Sequence, residues 1–276
     1  MAKTQSKSQK RRNEKLDQVG LKPLSEDQPR GKGKSARHKA NEAWKRQTNS
    51  PLVCRTPAQE RYLKCIKDHD LTFGVGPAGT GKTHVSVKHA CEQIDNGNYK
   101  GIVVLRPLVE MGKSLGALPG ELHEKMAPWA EPFLKVFREH YGEAAMQAKF
   151  NGAHPSIEFI ALQHVRGRTF DDCFVILDEA QNTTPLEMKT ILTRIGENTK
   201  MVLNGDIDQV DIHCKSGMVD ALDLARGVPA IGVATFVEED IVRSGLVRDL
   251  LIAYRERSKA AQKGQQWPPK PLAETE

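Results

Sequence analysis

Gly76-Pro77-Ala78-Gly79-Thr80-Gly81-Lys82-Thr83 has the spacing G-x-x-x-x-G-K-[ST] of a loop that binds phosphate. Glycines let the backbone wrap closely around a phosphate, in conformations a Cβ would forbid. Successive N–H groups then converge on the anion at the positive end of the following helix. Lys82 brings a point charge to the β- and γ-phosphates, and the Thr83 hydroxyl brings an oxygen for Mg2+. Roughly a hundred residues later, the apolar run Cys173-Phe174-Val175-Ile176-Leu177 ends in Asp178-Glu179. A buried strand ending in Asp-Glu is the Walker B partner of such a loop. Asp178 would hold Mg2+, directly or through water, and Glu179 would orient and deprotonate an attacking water. The chemistry these residues suit is Mg2+-dependent hydrolysis of ATP.

The elements that must position these groups can be read from pattern. Residues 71–75 form a short β-rich apolar run before the loop, and residues 83–94 a helix after it. Thr56-Pro57-Ala58-Gln59 starts an earlier helix, with Thr56 as N-cap, Pro57 at its first position and Gln59 closing a capping box. Residues 101–105 read as a buried strand closed by Arg106-Pro107, and residues 111–120 as a loop. The segment carrying Met126, Trp129, Phe133, Val136 and Phe137 has helical spacing, broken near its start by Pro128 and Pro132, and its aromatic stripe reads as core. Residues 157–161 form a strand, followed by the basic turn Arg166-Gly167-Arg168-Thr169. After 173–177, a near-continuous apolar run expected of a parallel strand buried on both faces, Thr184-Pro185-Leu186-Glu187 is a second capping box. Its helix sets Met188, Ile191, Leu192 and Ile195 on one face. A strand at 200–204 runs into Gly205-Asp206-Ile207-Asp208-Gln209. A helix (217–226), a strand (231–236) and an amphipathic helix bearing Leu246, Val247, Leu250, Leu251 and Tyr254 complete the order. Alternating strands and helices predict an α/β fold with a mainly parallel, doubly wound sheet. Ligands in such sheets sit beyond the carboxyl ends of the strands. The P-loop, Arg106, Asp178-Glu179 and Asp206 to Gln209 all follow strands directly, so they are expected to converge at one edge.

Composition bounds the rest. The 276 residues carry a net charge of +6, but residues 1–50 alone carry +9 and the remainder −3. That first stretch has almost no large apolar residues and predicts a disordered basic arm. It reads either as a non-specific contact for nucleic acid phosphates or as a solubilising tail. A polar tail from Ser258 onward reads as disordered too. Cys54, Cys65, Cys91, Cys173 and Cys214 form an odd set without a C-x-x-C pair, which argues against a disulfide framework or zinc site and fits a reducing cytoplasm. No apolar run reaches the ~18–20 residues of a membrane span, and no secretory leader pattern is present.

Several stretches resemble the PhoH family of phosphate-starvation-inducible ATPases. They are residues 72–83, Leu115-Gly116-Ala117-Leu118-Pro119-Gly120, Arg166-Gly167-Arg168-Thr169, Asp178-Glu179-Ala180-Gln181-Asn182-Thr183-Thr184 and Leu192-Thr193-Arg194-Ile195-Gly196. The resemblance runs in register over residues 55–257 and leaves the basic arm without an assigned role. It implies a single RecA-like core similar to the first motor domain of superfamily 1 helicases, without a second such domain and without a PIN nuclease domain. In that comparison Gln59 resembles an adenine-reading glutamine, and Gln209 one that senses the γ-phosphate. The resemblance implies RNA or single-stranded nucleic acid as partner, with Arg106, Arg166 and Arg168 as candidate contacts. A missing second motor domain also leaves no arginine for transition-state charge, so a homo-oligomeric ring, a hexamer by analogy, is expected to supply one across an interface. Arg243, in Glu239-Asp240-Ile241-Val242-Arg243, is the first candidate and Arg194 the second.

Two other readings compete. One is a P-loop kinase for a small acceptor, which the Gly-Asp-x-x-Gln stretch fits poorly. The other is a scaffold whose assembly is switched by nucleotide. A GTPase is disfavoured by the lack of N-K-x-D, and an ABC ATPase by the lack of an L-S-G-G-Q-type signature.

Overall fold

The computed structural model describes residues 51–107, 122–152, 155–242, 245–262 and 264. The basic arm, the 111–120 loop with Leu115 to Gly120, Arg243 and the end of the C-terminal tail lie outside the described residues. Six strands form one parallel sheet: β1 (Leu71–Val75), β2 (Gly101–Arg106), β3 (Ile157–Ala161), β4 (Cys173–Leu177), β5 (Lys200–Gly205) and β6 (Ile231–Thr235). Their spatial order is β3-β2-β4-β5-β1-β6, with every pairing parallel. One strand, β5, therefore separates the P-loop strand from the strand that delivers Asp178.

The apolar runs alternate between two cores. Ile102, Val104, Phe174 and Ile176 point to one face, where they meet α1 (Pro57–Asp68), α2 (Lys82–Asp95), α3 (Leu122–Tyr141) and α4 (Glu143–Asn151). Val103, Leu105, Val175 and Leu177 point to the other, against α5 (Pro185–Leu192) and α6 (Gly217–Ala225). Period-two alternation of large apolar side chains covers both faces of a central strand, so β4 and β5 are buried along their whole length. Lys200 begins β5 as a buried cation. Its ammonium donates to the carbonyls of Ile66 (2.6 Å) and His69 (2.7 Å), closing the negative end of α1.

Several expectations need correction. Thr56 does cap α1 through the Gln59 N–H, but Gln59 does not return the bond: its Oε1 accepts from Arg55 N instead (2.8 Å). The capping box at Thr184 and Glu187 is complete, yet α5 stops at Leu192, and Ile195 pairs with Phe170 in an isolated bridge. Helix α3 runs unbroken through Pro128 and Pro132. Each proline removes a donor and crowds the carbonyl four residues back. Burial of Phe133, Leu134 and Phe137 on the sheet outweighs that cost. The last helix, α7 (Gly245–Gln262), continues past Ser258, where a disordered tail was expected. Of its expected apolar face, Leu246, Leu250 and Tyr254 are exposed. No helix among the described residues is long and apolar enough to cross a membrane.

Candidate nucleotide site

The P-loop leaves β1 and enters α2 at the sheet edge where the strands end. Gly76 N–H donates to Gly205 O (3.0 Å), which ties the loop to the end of β5. Gly81 precedes α2 with φ +88°, and a Cβ there would stand 2.5 Å from Gln59 Nε2, so only glycine satisfies both the turn and the contact. Lys82 is buried. Its ammonium donates to the carbonyls of Gly76 (2.7 Å) and Pro77 (2.8 Å), folded back over its own loop. Gln59 Nε2 donates to Thr80 O (2.9 Å). The side chain assigned to adenine by resemblance thus also braces the loop, and this explains why it leaves the helix cap.

Thr83 Oγ1 donates to Asp178 Oδ1 at 3.2 Å. Burial, then the neighbouring Glu179, push the Asp178 carboxyl up to about 6, although Arg106, Thr83 and Lys82 pull it back. A hydroxyl and a largely covered carboxylate facing one another make a hard-oxygen pair with a charge in need of a counterion, so these two residues fit Mg2+. Glu179 adopts a left-handed conformation, φ +55° and ψ +38°, which non-glycine residues seldom take. Its Oε2 accepts from Gln181 Nε2 (2.7 Å) and its Oε1 lies 3.5 Å from Arg106 Nη2. Gln181, buried and not singled out in the sequence, also donates to Gln209 O (3.2 Å) and accepts from Asp206 N–H (3.1 Å). Gln209 Nε2 in turn donates to Asp206 Oδ2 (2.7 Å). One glutamine therefore links Glu179 to the loop after β5.

Together these groups line a cleft of about 580 Å3. Gln59, Gly79, Lys82, Thr83, Arg106, Asp178, Glu179, Asp206 and Gln209 all face it, so the strand ends converge as expected. Further contributors were not anticipated. Half-buried His84 follows Thr83 into the cleft, and burial holds its imidazole below the ordinary value against the pull of Glu139. Lys135 and Glu139, one helical turn apart, come from the exposed face of α3. Asn204, at the end of β5, accepts from buried Tyr62 Oη (2.5 Å) and donates to Ser86 Oγ (3.1 Å), joining α1, β5 and α2 behind the cleft. Only the DEAQN motif around Gln181 carried a sequence signal. The others depend on which elements pack together.

Arg106, a candidate nucleic acid contact that was also expected at this edge, lines the cleft with Nη1 3.9 Å from Asp178 Oδ2. Arg168 pairs with Glu158 (3.1 Å), and neither it nor exposed Arg166 lines the cleft. Arg194 lies at the opposite edge of the sheet, where its carbonyl accepts from Phe170 N–H just before β4 begins.

Replacing Asp178 with Asn is expected to raise the melting temperature of the ligand-free protein. Below the ordinary carboxyl value of 3.8 both folded and unfolded chains hold the proton. Between 3.8 and about 6 only the folded chain does. Stability therefore falls as pH rises through that window and stays lowered above it. The Asn variant does not titrate, so its advantage should grow from near zero around pH 4 to about 3 kcal/mol around pH 8, several degrees in a domain this size. Melting curves of both proteins across that range check the sign. A gap that shrinks with rising pH would refute it.

A family model described as "PhoH-like protein" matches residues 51–255. The PhoH-like protein of Bacillus subtilis (strain 168) is 42% identical over 202 residues, covering 72% of this chain and 63% of the relative. Protein PhoH of Escherichia coli (strain K12) is 40% identical over 208 residues, covering 74% and 58%. The match thus spans about three fifths of those relatives' own length. Among solved structures, the Pif1 helicase of Candida albicans aligns at a TM-score of 0.35 and 14% identity, over 74% of this chain and 44% of that one. By its family match and these relatives, this chain belongs to the PhoH-like protein family.

Proposed function

We propose that this chain is a Mg2+-dependent ATPase whose turnover is coupled to binding RNA or single-stranded nucleic acid. The observation that carries it is the meeting of Lys82, Thr83, Asp178, Glu179 and Gln209 in one cleft at the carboxyl edge of a parallel sheet. In this reading the P-loop amides and Lys82 grip the β- and γ-phosphates, Lys82 exchanging loop carbonyls for phosphate oxygens. Thr83 and Asp178 would hold the metal, which supplies positive charge to the phosphates when bound. Glu179, anchored by Gln181, takes the proton of the attacking water, and Gln209 reports the γ-phosphate to the loop after β5.

The test is ATP turnover by the full chain alone and with RNA, single-stranded DNA or duplex DNA, at fixed salt. Stimulation by a single strand is the expected result. Stimulation by a small acceptor instead would favour a kinase, and nucleotide-dependent assembly without polynucleotide stimulation a scaffold. The basic arm offers a further check. If residues 1–50 touch phosphates, their deletion should reduce the slope of log affinity against log salt by roughly 0.7 per lost contact. An unchanged slope identifies the arm as a solubilising tail.

A further inference from the structure

Arg106 ends β2 beside the Walker B strand, with Leu105 in register with Leu177, and Leu105 O accepting from Asp178 N–H (3.0 Å). Its guanidinium therefore emerges at the level of the two acidic residues. It stands 3.9 Å from Asp178 Oδ2 and 3.5 Å from Glu179 Oε1, while Asp178 Oδ1 is taken by Thr83. Both ion-pair distances exceed a normal N–H···O hydrogen bond, so these two attractions are mainly coulombic. A guanidinium stays charged at any working pH and presents a planar fork of donors suited to phosphate. The same cleft holds the P-loop, whose γ-phosphate would be the next anion within it.

We propose that Arg106 is the arginine that neutralises the transferring phosphoryl group, acting within its own chain and held on Asp178 and Glu179 until metal and nucleotide arrive. The proposal rests on the ATPase reading above. With nucleotide bound, Asp178 would be left to hold the metal and Arg106 would turn its fork to the γ-phosphate. The water oxygen then bonds to the γ-phosphorus, its proton passes to Glu179, and the β–γ bridging bond breaks with its electron pair leaving on ADP. Arg106 balances the charge on the equatorial oxygens, the task otherwise given to a neighbour's Arg243 or Arg194.

The experiment uses the full chain with Arg106→Ala and Arg106→Lys, reading ATP turnover, ATP affinity and the binding of Mg2+ alone by calorimetry. Arg106→Ala should lower kcat by about 10³-fold while ATP affinity changes little. The same variant should bind Mg2+ at least about threefold more tightly, because a competing cation has left the carboxylates. Arg106→Lys keeps the charge but not the fork, so Mg2+ affinity should return to the wild-type value while turnover stays low. Mixing Arg106→Ala with Lys82→Ala chains should restore nothing, since neither chain then owns a complete site. Restored turnover on mixing would place the arginine across an interface and overturn the proposal. Intact kcat with weakened polynucleotide binding would make Arg106 a nucleic acid contact, and looser Mg2+ binding would overturn the reserve position. Failure of the ATPase reading looks different: wild-type chain without turnover, or Lys82→Ala still binding ATP.

Discussion

Lys82→Ala should abolish measurable ATP binding and turnover. The ammonium is buried against the P-loop, within reach of the carbonyls of Gly76 and Pro77, and is set where the β- and γ-phosphates would lie. A charge-assisted hydrogen bond is worth about 1.5–3 kcal/mol, so losing contacts to two phosphates should weaken ATP binding by at least ~10²-fold. The fold itself should survive, because the P-loop keeps its Gly76 to Gly205 and Gln59 to Thr80 bonds. Direct titration of ATP into the variant, beside a melting curve, checks both halves. Undiminished ATP binding by a folded Lys82→Ala chain would remove the P-loop from the account.

Glu179→Gln should separate binding from chemistry. The amide is isosteric and its oxygen can still accept the Gln181 bond, so the left-handed turn and the P-loop should persist. The amide cannot accept a proton from water. ATP should therefore bind with near wild-type affinity and turn over at least ~10²-fold more slowly, as expected when a general base is removed. Single-turnover measurement with saturating ATP isolates the step. Equal rates in variant and wild type would strip Glu179 of its role.

Much of this architecture is legible in the chain because buried parallel strands are written plainly. Residues 101–105 and 173–177 are continuous apolar runs that deliver Arg106 and Asp178 at their ends, and the short run 71–75 delivers the P-loop. Side-chain destinations are less legible. Arg106 was assigned to the correct edge, but its ion pairs with Asp178 and Glu179 were not foreseen, because a strand end fixes a backbone and leaves a long side chain several anions to choose from. Gln59 looked like half of a capping box, yet the P-loop carbonyl of Thr80 and the N–H of Arg55 claim it. That rivalry exists only once α1 packs beside the loop. His84, Lys135 and Glu139 share the cleft because α3 lies over α2, and no local spacing records such a crossing. The prolines of α3 mislead for the opposite reason: a local rule about helix breakers yields to the burial of Phe133 and Phe137.

Strand order also governs when a growing polypeptide can first hold nucleotide. During synthesis β1 leaves the ribosome before every other strand of the sheet, but its partners are β5 and β6, the last two to emerge. Until they arrive, a nascent chain can pair β2, β3 and β4 but must leave Leu71–Val75 without neighbours. The loop after β1 is tied by Gly76 to Gly205 as β5 ends, and later still by Phe236 N–H to Val75 O and by Val242 N–H to Gly79 O. Long-range parallel pairing of this kind forms slowly and exposes apolar edges to other chains meanwhile. The phosphate cradle, early in the sequence, is among the last parts of the molecule to be completed, and a product released before Val242 would carry its residues without its shape.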